Sequence, residues 1–251
     1  MKWIKLYGER NTNTNYLSKL IELNLDAPQI QGVVPRSVFR LQTWAPGDER
    51  IRDWYFSVTF GRNLGWKHMR VEPAEKLRSS KLVRDGKVGF VTITKNPYSW
   101  LLSLYRRPYS LQVKPEITFE DFLTMPWQTT GRDNLRRRRL KSPVELWNLK
   151  NASYLALSNA LPIVHLTTEF IFSDPDTTIR RIADAFNIRR LTDKFLDYER
   201  STKDRSKDSN YYRDYYANEK WREQLSKAAI DTINANIDKD LLRHYGYELI
   251  E

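Results

Sequence analysis

The sequence predicts an α/β fold of three layers, with a central, mainly parallel sheet flanked by helices. Short apolar runs alternate with segments whose apolar residues recur every three to four positions, the order that builds strand–helix–strand units. Two of the helical segments carry start signals, Asn96-Pro97 and Ser173-Asp174-Pro175, in which a capping side chain precedes a proline suited to the first turn. No shift in composition divides the 251 residues, so one domain spanning 1–251 is expected.

The elements follow in order. A strand is expected at 2–7, through Trp3-Ile4-Lys5-Leu6-Tyr7, and a helix at 15–24, where Tyr16, Leu17, Leu20, Ile21 and Leu23 set a helical rhythm. Residues 26–62 read as irregular. Further strands are expected at 63–69, 87–94 and 162–167, and further helices at 97–107, 118–124, 143–159, 175–187 and 218–235. The segments 126–142 and 200–217 read as irregular, the second because Ser201 to Asn210 is polar throughout.

Lysine and arginine number 42 against 31 acidic residues, a net charge of +11. Such an excess points to an anionic ligand, an acidic polymer, nucleic acid or a membrane surface. The absence of cysteine excludes disulfides, thiolate metal sites and thiol nucleophiles, and three histidines argue against a His-rich metal site. No run of about 18 apolar residues occurs and the first residues lack a signal-peptide core. A cytoplasmic protein without a membrane span is expected.

Two loops stand out. Gly8-Glu-Arg-Asn-Thr-Asn13-Thr14-Asn15 joins the first strand to the first helix with the spacing of the phosphate loop G-x-x-x-x-G-K-[ST]. Asn13 stands for the second glycine and is one of the few residue types that accept positive φ. Thr14 stands for the lysine and Asn15 for the metal-binding hydroxyl, so phosphate binding without NTP hydrolysis is expected. Alternatively, the stretch is an ordinary polar strand–helix turn. The second loop places Lys95 between a strand end and the helix opened by Asn96-Pro97, where its ammonium adds to the helix dipole. In a parallel sheet both loops face one crevice, which suits a ligand with two separated phosphates.

Together with Trp66-Lys67-His68, Lys95-Asn-Pro with Ser103 and Tyr105, Leu166-Thr-Thr-Glu169 leading to Asp174-Pro175, an expected C-terminal helix at Trp221 and Tyr245-Gly-Tyr247, these loops resemble the PAPS-dependent sulfotransferases over nearly the whole chain. The resemblance implies a P-loop NTPase-like sulfotransferase fold and 3′-phosphoadenosine 5′-phosphosulfate (PAPS) as donor, with no metal. It assigns the 5′-phosphosulfate to Asn11, Thr12, Asn13, Thr14 and Asn15. It assigns the 3′-phosphate to Lys95 and Ser103, with Arg205 and Lys207 as further candidates from a late basic loop. The chain departs from the family pattern in having Asn13 for glycine, Lys95 for arginine and Asn11 for a catalytic lysine. Arg10, one step earlier, stands in reach of the same sulfate.

The resemblance also makes His68 the general base. A hydroxyl or amine acceptor loses its proton as it attacks sulfur, and imidazole suits that task near neutral pH. Arg10 and Lys67 would stabilise charge on the sulfuryl oxygens and the leaving phosphate. His165, inside an apolar run, and His244, near the last helical turn, read as structural. Tyr109, Trp127, Trp147 and Tyr154 are candidates for an acceptor pocket, Trp147 and Tyr154 also fitting a helix core face. The run Arg136 to Arg139 reads either as a solvated loop or as a contact for an acidic acceptor or the cofactor. The acceptor is expected to be a small molecule or glycan. Two other functions stay open: a P-loop-type small-molecule kinase, and a basic nucleic-acid-binding protein, although no nucleic-acid motif accompanies the arginines.

Overall fold

The computed structural model describes residues 1–43, 49–109, 113, 116–199 and 206–251. Its strands are β1 (Trp3–Gly8), β2 (Val88–Thr94), β3 (Trp127–Gln128), β4 (Arg139–Leu140) and β5 (Ile163–Thr167). β1, β2 and β5 form a parallel sheet in the order β1-β2-β5, and β3 pairs antiparallel with β4. All seven residues of the middle strand β2 are buried, as expected for a parallel strand covered on both faces. Ile4, Leu6, Val91, Ile93, Val164 and Leu166 pack on one side against the helices Thr14–Asn24 and Pro175–Phe186. Tyr7, Val88 and Phe90 face the other side, with Leu64, Trp66, Met69 and Tyr154. A third apolar cluster joins the helices Pro97–Arg106, Phe119–Thr124, Pro143–Leu155 and Lys227–Asn236. The molecule is therefore mixed α/β with a central parallel sheet flanked by helices.

The strand expected at 63–69 does not form. Asn63 ends a helical turn (Phe60–Asn63), and Leu64 and Gly65 follow with φ of 58° and 82°, left-handed values that break an extended chain. The carbonyls of this segment find side chains instead of a ladder. The buried ammonium of Lys5 donates to Asn63 O at 2.5 Å and Gly65 O at 2.6 Å, and the Tyr7 hydroxyl donates to Leu64 O at 2.6 Å.

Three segments read as irregular contain structure. Residues 26–62 include the helices Arg36–Thr43 and Arg50–Val58, and 126–142 holds the β3–β4 pair. The helix Ser209–Ala217, started by Asp208 accepting from Tyr211 N at 2.7 Å, lies within 200–217. The helix expected at 218–235 is confined to Lys227–Asn236, because Leu225 is extended and Ser226 caps a new start. Among the described residues, no helix is long and apolar enough to cross a membrane.

Candidate active site

The carboxyl ends of β1, β2 and β5 meet at one edge of the sheet, and Thr168 fastens them. Its hydroxyl lies 3.1 Å from both Thr12 O and Thr94 O, in the two loops singled out by sequence. A cavity of about 410 Å³ opens there. Arg10, Asn11, Asn13, Thr14, Asn15, His68, Lys95, Ser103 and Lys207 line it, bringing together residues from four separate stretches of the chain.

The first loop curls as the asparagines allow. Asn11 and Asn13 have φ of 66° and 60°. The Asn13 side chain does not cap the Thr14–Asn24 helix, whose first-turn residues Thr14 and Asn15 stand at the cavity wall. Gly8 is required by close approach: a Cβ there would stand 2.2 Å from Ile93 Cγ2 and 2.8 Å from Ile93 O. Thr12 is buried and does not line the cavity. Its hydroxyl closes the turn on Glu9 O at 2.6 Å, so this residue shapes the loop through its side chain.

The Trp66-Lys67-His68 segment docks on the same loop. Gly8 N donates to Lys67 O at 2.9 Å, and His68 Nδ1 lies 2.6 Å from Gly8 O. A carbonyl only accepts, so Nδ1 carries the proton and Nε2 keeps its lone pair. Burial, then the Lys67 ammonium, hold the imidazole pKa well below 6.5 despite the Gly8 hydrogen bond. His68 is a neutral imidazole at pH 7. Lys67 itself does not line the cavity, and its ammonium donates to Asn15 Oδ1 at 2.6 Å. The Arg10 guanidinium lies between two rings, 4.8 Å from the centroid of Trp66 and 3.8 Å from that of Tyr109.

A buried ionic cluster underlies this segment. Lys150, from the Pro143–Leu155 helix, donates to His68 O at 2.6 Å and to Asp133 Oδ1 at 2.7 Å, and pairs with Glu9. The three side chains are at most 2% exposed. Burial raises the Glu9 pKa, against the pull of Lys150. For Asp133 burial acts in the same direction, but Lys150 and the Thr130 hydrogen bonds outweigh it and the pKa lies below the usual value.

In the same cavity, Lys95 Nζ donates to Ser103 Oγ at 2.8 Å and lies 4.9 Å from the Tyr216 ring centroid. The backbone at Lys95 is held by Trp147 Nε1, which donates to Lys95 O at 3.0 Å. Lys207 lines the cavity, and Arg205 lies outside the described residues.

Sequence reading passed over several wall residues. Arg106 and Arg107 follow Ser103 by three and four positions at the end of the Pro97–Arg106 helix, a spacing that could have found them. Tyr211, Tyr212, Tyr215 and Tyr216 form a second wall from the Ser209–Ala217 helix, hidden because that stretch read as irregular. Of the aromatic candidates for an acceptor pocket, Tyr109 lines the cavity. Trp127, Trp147 and Tyr154 are fully buried in the core. The two other histidines serve structure: His165 bonds Thr92 and Ser158 through its two ring nitrogens, at 2.6 and 2.8 Å, and His244 ends a helix.

Compared with known protein families and with curated proteins, the chain matches none.

Proposed function

We propose that the protein is a sulfotransferase that moves the sulfuryl group of PAPS to a hydroxyl or amine of an acceptor, on a P-loop-like sulfotransferase fold. The observation that carries this reading is one cavity lined by two groups of anion-binding residues and by a neutral histidine with an open ring nitrogen. One group is the helix start at Asn13-Thr14-Asn15 with Arg10; the other is Lys95, Ser103 and the arginines that follow at the end of the Pro97–Arg106 helix. A nucleotide with phosphates at both its 5′ and 3′ positions needs such a pair, and helix amides and cations are the groups that hold them. The tyrosine wall offers ring faces on which a purine can stack. A volume of about 410 Å³ falls within the range of small-ligand sites, about 300–1,000 Å³.

In the proposed reaction, His68 Nε2 takes the acceptor proton as the acceptor oxygen or nitrogen forms its bond to sulfur. The bond between sulfur and the bridging phosphate oxygen breaks, and its electron pair leaves with the 5′-phosphate of the nucleotide bisphosphate. Gly8 O keeps the imidazole in the tautomer that can do this, and Lys150 fixes its backbone. Arg10 and the first-turn amides face the charge that builds on the sulfuryl and phosphate oxygens.

Calorimetric titration with 3′-phosphoadenosine 5′-phosphate (PAP), beside AMP and ATP with magnesium, tests the reading. Tight binding of the bisphosphate in the presence of a chelator is expected. Preference for ATP with magnesium would favour the kinase, and absence of nucleotide binding would overturn the assignment.

A further inference from the structure

A second cavity, of about 650 Å³, lies across Arg10 and Tyr109 from the first and shares both residues as a wall. Among the described residues, six arginines line it against two carboxylates, Glu49 and Asp53. The carboxylates are already committed: Arg132 pairs with them at 2.5 and 3.1 Å, and Asp53 also accepts the Gly131 and Arg132 amides. The net lining charge is therefore strongly positive.

The Arg136 to Arg139 run supplies much of that charge, and it is held in place. β3 and β4 pair on either side of the Gly131–Asp133 turn, Thr129 N donates to Arg138 O at 3.0 Å, and Asp53 anchors the turn to the Arg50–Val58 helix. Arg136 and Arg137 reach outward to Glu72 and Glu145, at 3.8 and 3.2 Å. Arg138 is exposed, lines the cavity and, among the described residues, pairs with no carboxylate; the Arg10 guanidinium likewise meets ring faces only. The rest of the described lining consists of Tyr109, glycine and the polar residues Gln128, Thr129, Thr130 and Asn134, with no aliphatic side chain among the described residues.

We propose that this second cavity is the acceptor site and that the acceptor is an anionic carbohydrate, bearing carboxylate or sulfate groups beside the hydroxyl that is modified. The assignment rests on the sulfuryl-transfer reading of the first cavity. Arginines and amides suit the charges and hydroxyls of such a chain, whereas an apolar phenol or lipid finds no apolar wall. The shared wall brings the acceptor hydroxyl to Arg10, on the side where His68 stands, so the proton goes to His68 and the sulfuryl group crosses at that junction.

The test uses the full chain with PAP bound, titrated with heparosan oligosaccharides, with maltooligosaccharides of equal length, and with an oligouridylate of similar charge. Transfer from sulfur-labelled PAPS is measured to the same compounds. The expected result is binding and labelling of heparosan alone. Arg138→Ala should weaken heparosan about tenfold or more, the loss of one charge-assisted hydrogen bond, and Arg138→Glu further, with PAP affinity and thermal stability unchanged. Equal use of the neutral sugar, tighter binding of the oligouridylate, or no effect of both Arg138 variants would overturn the acceptor assignment while PAP binding still stands. Failure of the wild-type chain to bind PAP would overturn the sulfuryl-transfer reading, and this assignment with it.

Discussion

Replacing Lys150 by methionine removes one ammonium from a place where three polar groups depend on it. Lys150 is fully buried, Glu9 and Asp133 are 2% and 1% exposed, and the Nζ serves both carboxylates and His68 O. Methionine keeps most of the volume, so the loss is electrostatic. Two buried carboxylates then face each other with no cation between them. At pH 7 at least one must then take up a proton or stay charged without a partner, and breaking a buried ion pair from one side typically costs ~3–5 kcal/mol. For a chain of this size each kcal/mol moves Tm by roughly 2–4 °C, so a fall of about 6–20 °C is expected. Thermal and urea unfolding measure it. The triple replacement Glu9→Gln, Asp133→Asn, Lys150→Met should recover part of the loss, because no charge is then stranded. A fall under ~1 kcal/mol for Lys150→Met would refute the reasoning, since the carboxylates would have to be solvated or differently paired.

The remaining predictions concern the site. His68→Ala should lower transfer about 10²–10⁴-fold while PAP affinity stays within a few-fold, and unchanged turnover would remove His68 from the mechanism. Because the folded His68 pKa lies well below 6.5, the proposed base is already neutral there, and kcat/KM should lose nothing to His68 protonation as pH falls from 8 to 6.5. The same depressed pKa makes the unfolded chain bind the proton more readily, so His68 contributes stability that is present above pH 6.5 and lost as pH falls through the folded value; a His68→Gln variant should flatten that part of the stability curve. Lys95→Ala should weaken PAP far more than AMP in calorimetry, with equal losses placing the 3′-phosphate elsewhere. Gly8→Ala should destabilise by about 1–3 kcal/mol in urea melts, as overpacking against Ile93 demands, and should loosen the His68 anchor.

Asn13 shows what the sequence could reveal about this site. Its tolerance of positive φ and its place between a strand and an apolar-periodic helix are local properties, and the loop curls accordingly. The convergence of that loop with Lys95 was legible for a related reason: parallel strands put their carboxyl ends on one edge, so two strand–helix loops had to meet. The segment 63–69 failed because its backbone partners are side chains sixty residues away, Lys5 and Tyr7, and no pattern within seven residues announces that. The Ser209–Ala217 helix failed because it packs on the core through Tyr212, Tyr215 and Tyr216, and tyrosines count as half-polar in any periodicity. Glu9, Asp133 and Lys150 were least legible of all. Each looks like one more surface charge in a highly charged chain, and only the fold shows that the three meet without water. That cluster matters more than its residue types imply, because it ties the loop after β1 at Glu9, the arginine hairpin at Asp133 and the backbone of His68 to one helix through a single ammonium. The walls of the first cavity and of the arginine-lined cavity are thereby both tied to Lys150, and under the proposed function a loosened cluster should disturb transfer before it disturbs nucleotide binding through Lys95, which the cluster does not touch.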